Sequence, residues 1–176
     1  MENKIKSFEE IKNIVQELKK QNKKIVTTNG AFDLFHYGHI KNLKFAKEQG
    51  DILIVGLNND ASIRKYKSDK RPIIPEEQRA KILSYVELVD YIVIFDDKTP
   101  VKLLEIISPD IHVKGSEYKE KIIEKDIIEK SEGKIMFIER DSKDVSTSGI
   151  IEKIIEVYGE KWNHMLLTNL LQKGFW

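Results

Sequence analysis

The sequence has 176 residues, enough for one domain with a buried core. With 40% hydrophobic and 34% charged residues, it is typical of a globular chain rather than a disordered one. The formal net charge of +1 gives no global attraction to nucleic acid or an anionic membrane, and the absence of cysteine excludes disulfides, thiolate nucleophiles and cysteine zinc sites. Neither a signal peptide nor a membrane-spanning apolar run is visible, so we expect a cytoplasmic protein without nucleic-acid or membrane partners.

Helical and strand patterns alternate along the chain. The first helix opens with Ser7 and Glu10, which resemble a capping box, and residues 51–57 form an apolar run typical of a buried strand. Strands are predicted at residues 24–28, 51–57, 91–95, 111–114 and 134–138, and helices at residues 7–20, 37–49, 60–66, 76–86, 99–107, 119–131 and 146–158. The order predicts an α/β fold, a Rossmann-like doubly wound parallel five-stranded sheet with helices on both faces. Functional residues should follow the carboxyl ends of the strands.

The junction after the first predicted strand carries the strongest chemical signal. His36 and His39 stand at the start of a helix on one face, where free backbone N–H groups favour a phosphate chain. Gly38 removes a side chain between them, which allows a nucleotide to approach closely. Two ordinary histidines, one capping and one exposed, are the plainer interpretation, and a zinc site lacks a third ligand at metal spacing. The position directly after a strand favours phosphate binding.

Gly30-x-Phe32-Asp33 followed by His36-x-Gly38-His39 is similar to the signature of the cytidylyltransferase-like nucleotidyltransferases. Further segments resemble that family in its order: Asn58 to Ser62, Arg71-Pro72, Glu77 to Ala80, Val89 to Tyr91, Val113 to Gly115 and Ser146 to Ser148. The resemblance covers about residues 7–158. It implies transfer of a nucleoside monophosphate from a nucleoside triphosphate to a small phosphorylated acceptor, with release of pyrophosphate.

The resemblance also implies a site. Its catalytic residues would be His36, His39 and Lys114. Its nucleotide-binding residues would be Asn29, Gly30, Phe32, Asp33, His36, Gly38, His39, Arg79, Lys114, Gly115, Ser146, Thr147 and Ser148. Its acceptor-binding residues would be Asp60, Lys67 and Arg71. No set of protein metal ligands is visible, so we expect Mg²⁺ to be bridged by the substrate phosphates and water.

Several of these residues also have purely structural interpretations. The basic stretch from Arg64 to Arg71 could be a solvated face rather than a flap that closes on the triphosphate. Arg79 could pair with a neighbouring glutamate instead of a phosphate. Asp60 could cap its helix instead of orienting the acceptor, and the hydroxyls of Ser146 to Ser148 could cap theirs while also holding phosphate.

Three segments narrow the resemblance within the family. Thr28-Asn29-Gly30, Arg71-Pro72-Ile73 and Val113-Lys114-Gly115-x-x-Tyr118 are most similar to the adenylyltransferases that activate D-glycero-D-manno-heptose 1-phosphate. That subfamily implies ATP as donor and an ADP-heptose for lipopolysaccharide or capsule as product. The domain is often fused to a sugar kinase, and because none precedes it here we expect the stand-alone form.

At some positions the chain differs from the subfamily motif, and these differences leave other substrates to be considered. The chain has Gly115-Ser116-Glu117-Tyr118 where the subfamily has Gly-Gly-Asp-Tyr, and Ala31 where it often has cysteine. Arg140 resembles a residue of glycerol 3-phosphate cytidylyltransferases. The alternatives are therefore CTP-dependent transfer to glycerol 3-phosphate or a similar alcohol, adenylyl transfer to flavin mononucleotide, and, from another class, a nucleotide-binding regulator without catalysis.

The C-terminal residues stand apart from this pattern. We divide the chain into a nucleotidyltransferase domain at residues 1–158 and a helical tail at residues 159–176. The tail carries an apolar stripe composed of Trp162, Met165, Leu166, Leu170 and Phe175. The stripe could pack on its own domain or form a dimer contact, and the family resemblance implies a homodimer.

Overall fold

A computed structural model describes residues 2–120, 122–139 and 145–172, with only the backbone for residue 2 and residues 160–172. Its strands are β1 (Ile5–Lys6), β2 (Ile25–Gly30), β3 (Ile52–Asn58), β4 (Tyr91–Phe95), β5 (Ile111–Gly115) and β6 (Lys134–Ile138). Its α-helices are α1 (Phe8–Lys20), α2 (Tyr37–Lys47), α3 (Asp60–Tyr66), α4 (Glu76–Ser84), α5 (Val101–Ile107), α6 (Lys125–Lys130) and α7 (Thr147–Gln172). Short 3₁₀ turns occupy Glu2–Lys4 and Ser116–Tyr118.

The strands form one sheet in the order β1-β4-β3-β2-β5-β6, and every pairing is parallel. The chain moves outward from β2 through β3 to β4, then returns to the other side of β2 for β5 and β6. This reversal is the doubly wound arrangement, so the predicted fold class is confirmed. The predicted number of five strands is wrong, because the two-residue strand β1 adds a sixth at the edge beside β4.

Helices cover both faces of the sheet and enclose two apolar cores. On one face, Leu43 of α2 and Leu83 of α4 pack over the inward side chains of β2, β3 and β5. On the other face, Ile11 of α1 and Ile107 of α5 pack over the alternate side chains. Burial on both faces explains why β3 is almost entirely apolar, as parallel central strands usually are.

The start of α1 shows how local sequence fixes where a helix begins. Ser7 and Glu10 form the predicted capping box: Ser7 Oγ accepts from the Glu10 N–H at 3.2 Å, and the Ser7 N–H donates to Glu10 Oε2 at 2.8 Å.

The backbone of α7 runs without a break past residue 158 to Gln172. No described helix is both long enough and apolar enough to cross a membrane.

The surface of α7 bears on the predicted homodimer. Ile154, Ile155, Val157 and Tyr158 are exposed apolar side chains on this helix. The side chains of Trp162, Met165, Leu166 and Leu170, and all of Phe175 and Arg140, lie outside the described residues. The homodimer stays a prediction.

His112 is a fully buried histidine in β5, and it makes stability depend on pH. Its Nδ1 lies 2.8 Å from Thr27 Oγ1, and its buried Nε2 has no hydrogen-bond partner among the described residues. Burial, reinforced by the charge of Lys114, lowers the pKa of His112 to about 3. The folded protein therefore holds this ring neutral through the range in which the unfolded chain protonates it.

We expect acid to destabilise the protein through His112. Because the unfolded ring titrates near ~6.5, the unfolded state binds the extra proton and stability falls as the pH drops below that value. Between pH 7 and pH 5 the loss from this group should be about 2 kcal/mol. Urea unfolding at both pH values should show a smaller loss for His112→Asn than for the wild type, and equal losses would contradict the prediction.

Candidate active site

A cavity of about 510 Å³ opens at the carboxyl ends of the central strands β2 and β5. These neighbours flank the point where the strand order reverses, which is the usual ligand site of an open α/β sheet. Thr28 to Gly30 from β2 and Val113 to Gly115 from β5 form its floor. The start of α2 and the start of α7 also contribute to its walls. Two helix N-termini, each the positive end of a helix dipole, therefore meet one cavity, an arrangement suited to anions.

The loop between β2 and α2 shapes one wall of this cavity. Phe32 and Leu34 adopt left-handed backbone conformations with φ of 48° and 47°, which non-glycine residues rarely do. Such strain is frequently found at functional sites. The missing side chain of Gly38 serves chain packing, since a Cβ there would stand 2.8 Å from the backbone oxygen of Val145. The glycine thus lets the segment before α7 approach the start of α2.

The two histidines lie together as the sequence predicts. Their ring centroids are 3.8 Å apart and the rings stack at 24°. The backbone N–H of His36 donates to Nδ1 of His39 at 3.3 Å, so a neutral His39 carries its proton on Nε2. Both rings line the cavity, where N–H donors would face a phosphate chain.

The start of α7 is held against the β2–α2 loop. Thr147 Oγ1 donates to the backbone oxygen of Asp33 at 2.8 Å. Ser146 Oγ accepts from the Gly149 N–H at 3.0 Å, so Ser146 caps the helix as the structural interpretation expected. Ser146, Thr147 and Ser148 all line the cavity.

Asp33 connects the β2–α2 loop to the basic loop. Its carboxylate accepts from Nε of Arg71 at 2.9 Å and from the backbone N–H groups of Ile73 and Ile74. Burial alone would raise the pKa of Asp33, but the two backbone donors and the Arg71 guanidinium outweigh it and hold that pKa below its usual value. Arg71 is therefore paired with Asp33 and does not line the cavity. The acceptor contact predicted for it stays a prediction.

Arg79 is fully buried and serves as a structural connector. Its Nε donates to Ile74 O at 2.8 Å, its Nη1 to Ala31 O at 2.5 Å and to Asn58 O at 2.9 Å, and its Nη2 to Asp60 Oδ1 at 2.7 Å. Neither Arg79 nor Asp60 lines the cavity, and the two side chains form an ion pair with each other. Their predicted phosphate and acceptor contacts stay predictions.

Arg79 and Asp60 do not make the structural contacts that the sequence suggested for them, which were a pair with a neighbouring glutamate and a helix cap. Arg79 pairs with Asp60 rather than with a neighbouring glutamate. Asn59, not Asp60, caps α3, because Asn59 Oδ1 accepts from the Ser62 N–H at 2.7 Å.

Lys114 ends β5 inside the cavity and is held from several sides. Its Nζ lies 2.7 Å from Glu124 Oε1 and 3.2 Å from Asn29 Oδ1, and it sits 5.0 Å from the ring centroid of Tyr118. The Glu124 side chain is 3% exposed, and Glu124 lines the same cavity. A basic side chain predicted to bind nucleotide is thus paired with a buried carboxylate that the sequence analysis missed.

The basic loop reaches the cavity at its beginning. Tyr66 and Lys67 line the wall, whereas Arg64, Lys65 and Lys70 do not, and all five side chains are exposed. Although Tyr66 is 38% exposed, desolvation of its hydroxyl raises its pKa to about 12, with a further contribution from Tyr118. Anchored by α3 at one end and by Asp33 at the other, the loop forms one edge of the cavity.

Most residues predicted for the site meet in this one cavity. Those that line it are Asn29, Gly30, Phe32, Asp33, His36, Gly38, His39, Lys67, Lys114, Gly115, Ser146, Thr147 and Ser148. Lining residues that the sequence analysis did not assign to the site include Asn42, Tyr66, Lys98, Thr99, Glu117, Tyr118 and Glu124. Lys98 and Thr99 follow β4 closely, so the rule that functional residues follow strands could have found them. The described residues contain no group of three or more metal-ligating side chains.

Comparison with known proteins agrees with this geometry. The cytidylyltransferase-like family model matches residues 27–153, so the chain belongs to that family and is a nucleotidyltransferase. Among curated proteins, the chain is 45% identical to the bifunctional protein HldE of Geobacter metallireducens over 90% of its length and 52% identical to HldE of Campylobacter jejuni subsp. doylei over 87%. The matched region is 32% of each of those proteins, so the chain spans about a third of their length.

Solved structures agree as well. The lipopolysaccharide core biosynthesis protein of Thermoplasma volcanium is 29% identical, with a TM-score of 0.56 over 69% of this chain and 99% of that one. Pantoate-beta-alanine ligase from Francisella tularensis, solved with an ATP analogue and beta-alanine, has a TM-score of 0.60 at 20% identity, covering 86% of this chain and 77% of that one. The second likeness shows the fold alone.

Proposed function

We propose that this nucleotidyltransferase transfers an adenylyl group from ATP to a sugar phosphate, D-glycero-D-manno-heptose 1-phosphate, and releases pyrophosphate. The observation that carries the proposal is the convergence of the His36–His39 pair, Lys114 and two helix N-termini on one cavity. In the reaction, an acceptor phosphate oxygen forms a bond to the α-phosphorus. The bond from that phosphorus to the bridging oxygen breaks, and pyrophosphate leaves with the electron pair.

The protein contributes position and charge rather than a covalent intermediate. The histidine N–H groups, the Lys114 ammonium and the hydroxyls at the start of α7 are placed to stabilise the negative charge that grows on the phosphates. Mg²⁺ is proposed to travel with the triphosphate, held by phosphate and water oxygens. The described residues contain no group of side chains that could hold the ion by themselves. The proposed roles of the histidines, Lys114 and the hydroxyls belong to the protein and not to the ion.

Two lines of support favour a sugar phosphate over other acceptors. The motifs of β2, the basic loop and β5 resemble the heptose 1-phosphate adenylyltransferases, and the Thermoplasma relative is described as a lipopolysaccharide core biosynthesis protein. We therefore place the reaction in the supply of precursors for a surface polysaccharide. Transfer from CTP to glycerol 3-phosphate remains the second candidate, because Ser116 and Glu117 depart from the adenylyltransferase motif.

A matrix of donors and acceptors tests the proposal. Purified protein with Mg²⁺ would be incubated with ATP, CTP, GTP or UTP against heptose 1-phosphate, glycerol 3-phosphate and flavin mononucleotide, and pyrophosphate release would be measured. We expect ATP with heptose 1-phosphate to give the highest kcat/KM. A preference for CTP with glycerol 3-phosphate would establish the second candidate, and no release from any pair would overturn both.

A further inference from the structure

Glu124 is a buried carboxylate in the cavity that receives Lys114 and two helix N-termini. It immediately precedes α6, but its side chain makes no capping bond to that helix. Instead, Oε1 accepts from Lys114 Nζ at 2.7 Å, and the two side chains are 3% and 11% exposed respectively. The side chain therefore serves Lys114 rather than the helix it precedes.

The contacts around Lys114 fix where its charge lies. Lysine is a flexible chain ending in a point charge, so its ammonium takes whatever position its partners impose. Here the partners are Glu124 on one side, the Asn29 amide oxygen on another and the Tyr118 ring as a third wall. Of these, only Glu124 carries a full opposite charge. Removing that charge would leave the ammonium with weaker partners and more freedom.

A carboxylate here has an electrostatic cost for substrate binding. Its negative charge repels a triphosphate and weakens the attraction that Lys114 supplies to the ground state. A residue that opposes binding can still favour the reaction if it holds a catalytic group where the transition state needs it. We propose that Glu124 is a positioning residue for nucleotidyl transfer, acting through Lys114. This inference rests on the proposed function.

The replacement Glu124→Gln tests the inference, because glutamine keeps the shape and an oxygen acceptor but removes the charge. We expect kcat to fall about 10- to 100-fold, the size of effect that a displacement near 1 Å produces. KM for ATP should stay equal or fall, because a repelling charge has gone. Partial misfolding would also lower the apparent kcat, because less of the protein would be active. The active fraction is therefore measured by ATP titration, kcat is expressed per active molecule, and the Tm is recorded.

A matched control uses an exposed ion pair of the same kind. Lys119 Nζ lies 2.6 Å from Glu139 Oε1, with the two side chains 50% and 73% exposed. Glu139 does not line the cavity, so Glu139→Gln should leave kcat and KM unchanged. An equal fall in kcat for Glu139→Gln would show a general charge effect and overturn the proposal.

Two further variants separate positioning from folding. If Glu124 acts through Lys114, adding Glu124→Gln to Lys114→Met should cause no further fall in kcat, whereas independent effects would multiply and contradict the proposal. Should Glu124→Gln fail to fold, Glu124→Asp keeps the charge but shortens the reach by about 1.5 Å, one carbon–carbon bond. It should fold with a near-normal Tm and a reduced kcat.

The outcomes distinguish this inference from the function beneath it. An active wild type with an unchanged kcat in both Glu124 variants overturns the positioning role alone. A wild type that releases no pyrophosphate from any substrate pair overturns the proposed function and this role with it.

Discussion

Replacing His39 with asparagine should lower the kcat of pyrophosphate release by about 10²- to 10⁴-fold, the range measured for the loss of an acid–base group or a transition-state donor. In the structure, Nδ1 of His39 accepts from the His36 N–H, so the proton lies on Nε2. We expect that N–H to donate to the phosphate as its charge grows. Asparagine places an oxygen near the position of Nδ1, but nothing in its side chain reaches the position of Nε2.

Two further variants, His39→Gln and Tyr37→Ala, make this test more specific. His39→Gln extends an amide N–H toward the Nε2 position but cannot become charged, so it should recover part of the activity if the role is hydrogen-bond donation. Tyr37 stands between the two histidines, is 69% exposed and does not line the cavity. Tyr37→Ala should therefore change stability by no more than about 0.5 kcal/mol and leave kcat close to the wild-type value.

Initial rates at saturating ATP, together with thermal unfolding of each variant, would check the result. The asparagine variant should keep a Tm close to that of the wild type, because the bond from the His36 N–H is preserved. A kcat near the wild-type value in stable His39→Asn protein would remove the histidine pair from the centre of the mechanism.

The sequence predicted the sheet well because its central strands are buried on both faces. Continuous apolar runs such as 51–57 have few other interpretations in an alternating chain. β1 escaped prediction because two residues carry no periodic signal, and only their pairing with β4 makes them a strand. α6 is shorter than the predicted helix at residues 119–131. It begins at Lys125, directly after Glu124, whose side chain pairs with Lys114 instead of capping the helix.

The site residues likewise divide into those that the sequence indicates and those whose contacts only the folded chain shows. The resemblance assigned His36, Lys114 and Ser146 to the site, and their positions agree, because each lies where a strand ends or a helix begins. Glu124 could not be assigned in this way, since it lies ten residues beyond Lys114 and nothing local marks it as buried. Arg79 was assigned to phosphate from the resemblance and from its forked guanidinium, which suits phosphate oxygens. Its partner Asp60 is nineteen residues away, so only the folded chain shows that the guanidinium is internal.

Replacing Arg79 with methionine should lower the free energy of unfolding by about 3–5 kcal/mol, because it leaves buried polar groups without their partner. The guanidinium donates to three backbone oxygens, those of Ala31, Asn58 and Ile74, and to the Asp60 carboxylate. These acceptors lie just after β2, from the end of β3 to the start of α3, and just before α4, so one side chain connects three segments around the cavity. A methionine fills much of the space and offers no donor.

Urea unfolding of Arg79→Met would be compared with that of Lys81→Met. Lys81 lies in the same helix α4 but is exposed, so its replacement should change the free energy of unfolding by no more than about 0.5 kcal/mol. Arg79→Lys should also be strongly destabilised, since one ammonium cannot reach acceptors on several sides of a planar fork. ATP affinity distinguishes this internal role from direct phosphate binding. An Arg79→Met protein with wild-type stability and greatly weakened ATP binding would place the guanidinium on the phosphates, whereas reduced stability, with ATP affinity retained in the folded fraction, would show that Arg79 supports the cavity from within.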